Sequence, residues 1–224
     1  MEFLNEQGQI SAGKALSQIG RTSRKTICNF DFEDAEDARV LLMYFYMRKV
    51  GHEISNYDKV SAYASEIIDW MMNGDKCLLM LTGDTGCGKT TMMIAVCRMV
   101  NHIYYSNTSG TGTDADRRGF QWDNAYNINN WAKDTPERYD DFKRCEWAAI
   151  DDMGQENASE MNFGSALFPV RDVLLYRYDN RLLTIVTTNM TPKQITERYG
   201  QRIGDRLAEI AHIIKFNETS YRRQ

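Results

Sequence analysis

The residue types best suited to chemistry form one short run, Gly83-Asp84-Thr85-Gly86-Cys87-Gly88-Lys89-Thr90-Thr91. Its first eight positions match the phosphate-binding pattern G-x-x-x-x-G-K-S/T at every fixed place. The glycines let consecutive backbone N–H groups face one anion, and the N-terminus of a following helix adds a favourable dipole. An ordinary glycine-rich turn is disfavoured, because the Lys-Thr pair directly follows the last glycine. We therefore predict that this P-loop binds a nucleoside triphosphate.

Two residues of the loop have distinct predicted roles. The Lys89 ammonium neutralises charge on the β- and γ-phosphates, and the Thr90 hydroxyl ligates Mg²⁺. The flanking sequence has the form that the motif requires, because residues 77–81 predict a buried parallel strand. After the loop, apolar residues recur at helical spacing, at Met92, Met93, Val96 and Val100.

Acidic residues end the next strong apolar run. Residues 146–152, EWAAIDD, predict a strand that ends in Asp151 and Asp152. In a P-loop protein an acidic residue at this place reaches the Mg²⁺ shell, so Asp151 is a predicted metal ligand. Asp152 is then placed to polarise a water for attack on the γ-phosphate. The alternative is a plain turn at the end of a strand, since Asp is common in turns.

A third predicted strand, residues 181–189, ends in Asn189. The carboxyl ends of parallel strands meet at one edge of a sheet, where ligand sites of α/β proteins gather. Asn189 could donate to a γ-phosphate oxygen or orient the water, or it could simply cap the loop.

Arginines near the end of the chain have open interpretations. Arg202 and Arg206 stand four residues apart, so on a helix they share one face. They form either a row of surface salt bridges or an arginine finger for a neighbour's nucleotide. Arg222 either returns to the chain's own nucleotide or belongs to a disordered basic tail.

Composition excludes several other functional classes. The 224 residues carry a formal net charge of −4, so the molecule as a whole does not attract nucleic acid. The five cysteines include no C-x-x-C pair and the three histidines are scattered, which argues against a disulfide framework or zinc site. No signal peptide and no apolar stretch of bilayer length is present, so we expect a cytoplasmic protein with no membrane partner.

The organisation of the chain suggests one α/β domain with a short appendage. Residues 1–55 are the predicted N-terminal helical appendage, with a helix over about residues 33–50, and residues 56–224 form the main domain. A helix over residues 57–73 ends at Gly74, and residues 106–119 predict a mobile inserted loop. Further strands are expected at residues 120–122 and 211–216, which implies a mostly parallel sheet flanked by helices.

The order of five short phrases carries a family resemblance. GDTGCGKT, IDDMGQE, TTNM, GQRIGDRL and SYR follow one another along the chain. This order resembles the AAA+ ATPases of the DnaC/DnaI helicase-loader and IstB group, over roughly residues 56–223. The resemblance implies an α/β P-loop NTPase fold without a full lid domain, which binds ATP and Mg²⁺ and assembles as a homo-oligomer through the ATP site.

The resemblance also implies roles for individual residues. Lys89 and Thr90 match the Walker A pair, and Asp151 and Asp152 match the Walker B pair. Asn189 matches sensor 1, and Arg222 matches the sensor 2 arginine. Arg206, with Arg202 beside it, matches the box that contains the trans-acting finger. Single-stranded DNA would be contacted near Ser159 and by a helix around residues 127–133. Many AAA+ proteins have Glu where this chain has Asp152, so the shorter side chain implies slow hydrolysis.

The function implied is an ATP-hydrolysing switch of the kind used in DNA replication, acting on a DNA-bound partner and stimulated by it. The partner is a replicative helicase or, in the IstB-like alternative, the transposase of a transposition system. A P-loop nucleoside or nucleotide kinase is the alternative from another class, on the basis of Asp116-Arg117. An inactive nucleotide-binding module is a third alternative, which rests on Asp152.

Overall fold

The computed structural model describes residues 30–51, 54, 56–105, 119–157, 160–162 and 165–217. Several predictions fall outside these residues. They are the role of Arg222, the DNA contact near Ser159, nearly all of the 106–119 loop and the Asp116-Arg117 pair behind the kinase alternative.

Helices and strands alternate along most of the described chain. Its helices are α1 (Ala35–Val50), α2 (Tyr57–Asn73), α3 (Lys89–Tyr105), α4 (Ala125–Asp134), α5 (Pro136–Arg144), α6 (Pro169–Asp179), α7 (Pro192–Tyr199) and α8 (Gln201–Ile210). Its strands are β1 (Leu78–Gly83), β2 (Phe120–Asn124), β3 (Trp147–Met153), β4 (Glu160–Asn162), β5 (Ser165–Leu167), β6 (Leu183–Thr188) and β7 (Ala211–Phe216).

Five of these strands form one parallel sheet in the order β2-β3-β6-β1-β7. Leu79 of β1 lies opposite Ile185 of β6 on one side and His212 of β7 on the other. Strands β4 and β5 make a separate antiparallel pair. The prediction of a mostly parallel sheet flanked by helices is confirmed.

The central strands are apolar because both of their faces are covered. All six residues of β6 are buried, as are the first four of β1. On α3 the residues predicted from helical spacing, Met92, Met93, Val96 and Val100, have no exposed surface. The P-loop is therefore carried between a buried strand and a buried helix, and its backbone is held rigidly.

Helix α1 packs on the same core. Asp34 caps it by accepting hydrogen bonds from the backbone N–H groups of Glu36 at 2.6 Å and Asp37 at 3.3 Å. Leu42 of α1 is fully buried, and the Phe30 ring lies 5.4 Å from the Trp147 ring at the start of β3. The helix predicted over residues 33–50 is thus present, and the domain boundary at residue 55 stays a prediction.

One helix with few apolar residues, α5, was not predicted from the sequence. Helix α5 has one buried side chain, Phe142, so its sequence lacks an apolar stripe. Strand β2 extends to Asn124, two residues beyond the predicted end. Within the described ranges, no helix combines the length and the apolar character needed to cross a bilayer.

Candidate functional site

The P-loop connects β1 to α3 in a conformation that depends on its glycines. Gly86 has φ +86° and Gly88 has φ +98°, which residues with a side chain rarely adopt. Between them Cys87 is only 1% exposed. The glycines thus permit the backbone conformation of the loop, and the binding of an anion by its N–H groups stays a prediction.

Lys89 lies at the centre of the loop and is only 5% exposed. Its ammonium donates hydrogen bonds to the backbone oxygens of Gly83 and Asp84, both at 2.8 Å. It also donates to Oδ1 of Asn189 at 2.7 Å and lies 3.6 Å from the Cys87 sulfur. A buried cation needs such partners, because an unpaired charge in the interior is very costly.

Thr90 and Asp151 meet beside this lysine. The Thr90 hydroxyl donates to Oδ1 of Asp151 at 2.9 Å, and the Thr187 hydroxyl donates to the same oxygen at 2.5 Å. The two residues predicted to hold Mg²⁺ are thus adjacent, although they are 61 positions apart in sequence. A hydroxyl and a carboxylate are the oxygen ligands that Mg²⁺ prefers.

Asp152 occupies a turn at the end of β3. Its φ of +52° is in the left-handed region, and its backbone N–H donates to the Thr187 hydroxyl at 2.9 Å. The pairing of β3 with β6 shifts register between Ile150 and Met153, whereas on the other side of β3 Asp151 still pairs with Asn124 of β2. Asp151 and Asp152 therefore differ in environment although they are neighbours in sequence.

Asn189 contacts the P-loop with both ends of its amide. Its Oδ1 accepts from Lys89, and its Nδ2 donates to the Thr85 hydroxyl at 3.2 Å. This arrangement places Asn189 against the P-loop, in contact with residues that are predicted to bind phosphate.

Lys89, Thr90, Asp151 and Asn189 together form one cluster at the P-loop. The two arginines of α8 lie apart from this cluster. Nη1 of Arg206 is 2.9 Å from Oδ1 of Asp179, and its guanidinium lies 4.5 Å from the centroid of the Tyr178 ring. Arg202 is exposed on the same helix. Both arginines do lie on a helix, and in the isolated chain Arg206 contacts α6.

Sequence reasoning missed one residue that shapes the site. Thr187 is fully buried, and its hydroxyl contacts both Asp151 and the Asp152 backbone. Its signal was present in the phrase TTN, since a hydroxyl near the end of an apolar strand needs a hydrogen-bond partner.

The helix predicted around residues 127–133 exists as α4. Asn124 caps it by accepting from the Asn127 backbone N–H at 2.8 Å, and Tyr126 is 54% exposed. Contact of α4 with DNA stays a prediction.

The cluster fits a Mg²⁺-bound nucleoside triphosphate in its donor set. Lys89 is a buried cation, the P-loop lies at the N-terminus of α3, and Thr90 with Asp151 would supply a hydroxyl and a carboxylate oxygen to the metal. The pairs that Lys89 makes with loop carbonyls are ones that phosphate oxygens can replace.

Comparison with known proteins starts from a negative result: no family model and no curated protein matches this sequence. Solved structures do match. The DnaC helicase loader has 16% sequence identity and a TM-score of 0.51, over 74% of this chain and 93% of that one. The chain has the fold of the DnaC helicase loader.

Two further solved structures have a similar fold. A candidate primosome component of Streptococcus pyogenes serotype M3 has 16% identity and a TM-score of 0.52, over 75% of this chain and 84% of that one. DnaA from Aquifex aeolicus, bound to AMPPCP, has 13% identity and a TM-score of 0.50, over 78% of this chain and 51% of that one. At these identities the likeness concerns the fold alone.

Proposed function

We propose that this protein binds and hydrolyses ATP as a AAA+ switch of the helicase-loader kind. One observation carries the proposal: three segments, the start of α3 with Lys89 and Thr90, β3 with Asp151 and the residue Asn189 after β6, converge at the carboxyl edge of the sheet. The AAA+ fold supports it, because a solved protein with this fold holds a nucleotide analogue.

Mg²⁺-bound ATP would supply the phosphoanhydride bond that is broken. The chain's own residues would bind the phosphates, hold the metal and activate the attacking water. Lys89 would neutralise charge that develops on the phosphates, and Thr90 with Asp151 would hold the metal. Asp152 accepts a proton from the attacking water, and Asn189 orients that water or donates to the γ-phosphate. The residues of the loop from Gly83 to Thr91 bind the phosphates, and Arg222 contacts the nucleotide of its own chain.

The site is completed by a second copy of the chain in this proposal. Arg206, with Arg202 beside it, reaches the nucleotide of the neighbouring subunit and stabilises transition-state charge. In the isolated chain Arg206 pairs with Asp179, so assembly exchanges that half-exposed partner for phosphate oxygens. Slow hydrolysis without a partner follows from the incomplete site and from the short Asp152 side chain.

The partner we propose is a replicative helicase on DNA in the cytoplasm. One fold neighbour is a helicase loader and another is a candidate primosome component, which favours replication over transposition. Single-stranded DNA would contact α4, and the segment before residue 56 stays a proposed appendage. Such DNA binding should depend on ATP and weaken steeply with salt.

The decisive experiment is phosphate release per subunit over a wide range of protein concentration, for the parent and for Arg206→Ala. We expect activity per subunit to rise with concentration in the parent and to fall ~10³–10⁵-fold in Arg206→Ala, with ATP binding retained. Arg171→Ala is the matched control, since Arg171 is a partly exposed arginine whose pair partner is its neighbour Asp172. Parent-like hydrolysis by Arg206→Ala would refute the trans arrangement.

A further inference from the structure

A buried carboxylate outside the cluster connects it to the helices that carry the arginines. Glu156 is only 4% exposed and follows β3 by three residues. Its Oε2 accepts from the Gly154 backbone N–H at 2.8 Å. Its Oε1 accepts from the Tyr199 hydroxyl and lies 3.7 Å from Nε of Arg198. The Arg198 guanidinium also donates to the backbone oxygen of Glu156.

A buried charge must be paired and hydrogen-bonded, and these contacts meet that requirement. They therefore fix the position of the Glu156 carboxylate. Burial raises the pKa of the Tyr199 hydroxyl, and the adjacent Glu156 carboxylate raises it further. Tyr199 therefore stays protonated and remains a donor to the carboxylate. Glu156 thus joins the turn after β3 to the last two residues of α7.

The turn on one side of Glu156 contains Asp152. Asp152 has φ +52°, and its backbone oxygen accepts from the Gln155 N–H at 3.0 Å. Gly154 has φ +102°, and a Cβ at this position would lie 2.3 Å from the Met190 sulfur. Met190 follows Asn189 directly. Asp152 and Asn189 therefore both adjoin one tightly packed turn. In this turn Asp152 has a strained backbone conformation.

On the other side of Glu156, α7 and α8 form a closely packed pair. A Cβ at Gly204 of α8 would lie 2.2 Å from the Thr196 hydroxyl of α7. Only Gly200 separates the two helices, and α8 carries Arg202 and Arg206. A shift at Arg198 and Tyr199 would therefore be passed to the arginines.

We propose that Glu156 is a positioning residue that couples the state of the chain's own nucleotide site to the orientation of the α7–α8 pair. The inference rests on the proposed function for the ligand, which is ATP, and for the task of Arg206. When the Asp152 turn changes with the nucleotide, Glu156 transmits the change through Arg198 and Tyr199. Each subunit then presents its arginines to the next according to what it holds itself.

A purely structural role makes a different prediction. If Glu156 only stabilises the turn, its loss lowers the free energy of unfolding but leaves α7–α8 responsive to ATP. Coupling requires an element that both sites bias. The measurement must therefore report the response of α7–α8 to nucleotide, and thermal stability alone does not suffice.

The test is amide hydrogen exchange of residues 192–210 in the full chain, with and without Mg²⁺ and ATP. We compare the parent with Glu156→Gln, which keeps the side-chain volume, and with Tyr199→Phe, which keeps the carboxylate. Glu197→Gln is the matched control, because Glu197 lies on α7 and its side chain is 62% exposed.

We expect ATP to slow exchange in α7–α8 of the parent and of Glu197→Gln by about fivefold or more. The same response should be lost in Glu156→Gln and reduced in Tyr199→Phe, with ATP affinity retained in both. An unchanged response in the two variants overturns the proposal, and so does a parent whose α7–α8 exchange ignores ATP. The trans-acting site fails by a separate result, parent-like phosphate release in Arg206→Ala.

Discussion

Two buried cations stand at opposite edges of the parallel sheet. Lys89 lies at the carboxyl edge, where the strands end, and is 5% exposed. Arg177 of α6 lies at the amino edge, where β3 and β6 begin, and is 1% exposed. Both donate hydrogen bonds to backbone carbonyl groups, so they satisfy the same physical requirement for a buried charge.

The hydrogen-bond partners of the two cations differ in whether a bound ligand can replace them. Arg177 donates to the Thr184 hydroxyl at 2.9 Å and to carbonyl oxygens of Lys143, Cys145, Glu146 and Leu183 at 2.7 to 3.4 Å. Burial lowers the pKa of its guanidinium. These partners join the α5–β3 connection to the start of β6, so Arg177 acts as a clamp inside the protein.

The oxygens to which Lys89 donates all belong to residues that are not buried, whereas two partners of Arg177, Thr184 and Leu183, are buried. Asp84 and Asn189 are exposed and Gly83 is half-buried. An anion can approach these groups and replace them as the hydrogen-bond partners of the Lys89 ammonium. The comparison teaches that a buried charge marks a binding site only when its partners are exchangeable, and replacement of each cation tests this difference.

The largest effect is expected for Lys89→Met. ATP binding should weaken at least ~10²-fold because charge-assisted hydrogen bonds to phosphate are lost. The melting temperature should stay the same or rise, since an apolar side chain carries no desolvation cost. Titration with a fluorescent ATP analogue and thermal melting measure the two quantities. Lys215→Met, at an exposed position of β7, is the control. Unchanged affinity would contradict the P-loop assignment.

Arg177→Met should have the opposite result. It leaves several carbonyl groups without a donor and should lower the free energy of unfolding by about 3 kcal/mol. Urea unfolding measures this change, and ATP affinity of the folded fraction should be retained. Arg181→Met is the control, because the exposed Arg181–Glu209 pair at 2.8 Å contributes little. A stability loss no larger than in this control would show that Arg177 is not a clamp.

Two threonines of β6 repeat the comparison on a smaller scale. Thr187 contacts the acidic residues of the site, and Thr184 contacts Arg177. Thr187→Val should reduce hydrolysis ~10-fold, which corresponds to one lost hydrogen bond of about 1.4 kcal/mol. Thr184→Val should lower stability by about 1 kcal/mol and leave turnover unchanged. Equal effects of both substitutions on turnover would remove the distinction between the two edges.

The smallest effect is expected at the exposed rim of the amino edge. The Tyr178 hydroxyl, and then Arg181, lowers the pKa of the Glu209 carboxyl below its usual range. The unfolded chain therefore binds more protons here, so this contribution is present above the unfolded pKa and is lost as pH falls through the folded pKa. The melting temperature of Glu209→Gln should lie slightly below the parent at pH about 7, and the difference should vanish near pH 3. A difference that is constant with pH would contradict the assignment.

Segments with a strong local signal were predictable. The P-loop motif, the apolar strands before it and around Asp151, and the stripe of α3 are patterns within a few residues. The strand predicted at residues 211–216 has the observed bounds of β7. Helix α5 was not predicted, because nine mostly polar residues with one buried phenylalanine carry no periodic signal.

Two contacts between distant segments outside the nucleotide motifs were not predictable. The Arg206–Asp179 pair joins α8 to α6, and the Glu156 contacts join the turn after β3 to α7. In sequence both glutamate and arginine suggest solvated positions, since charged residues are almost never fully buried unless paired. Burial of Glu156 and Arg177 became visible only when their partners were placed.

The P-loop, the acidic residues near the end of β3 and the alternation of strands and helices can be read from the amino-acid sequence, because backbone conformation and apolar periodicity are local properties. The strand order β2-β3-β6-β1-β7, the contacts of Thr187 with the acidic residues and the different surroundings of the two buried cations emerge only in the folded chain. These depend on which segments pack together, and that choice is a property of the whole chain.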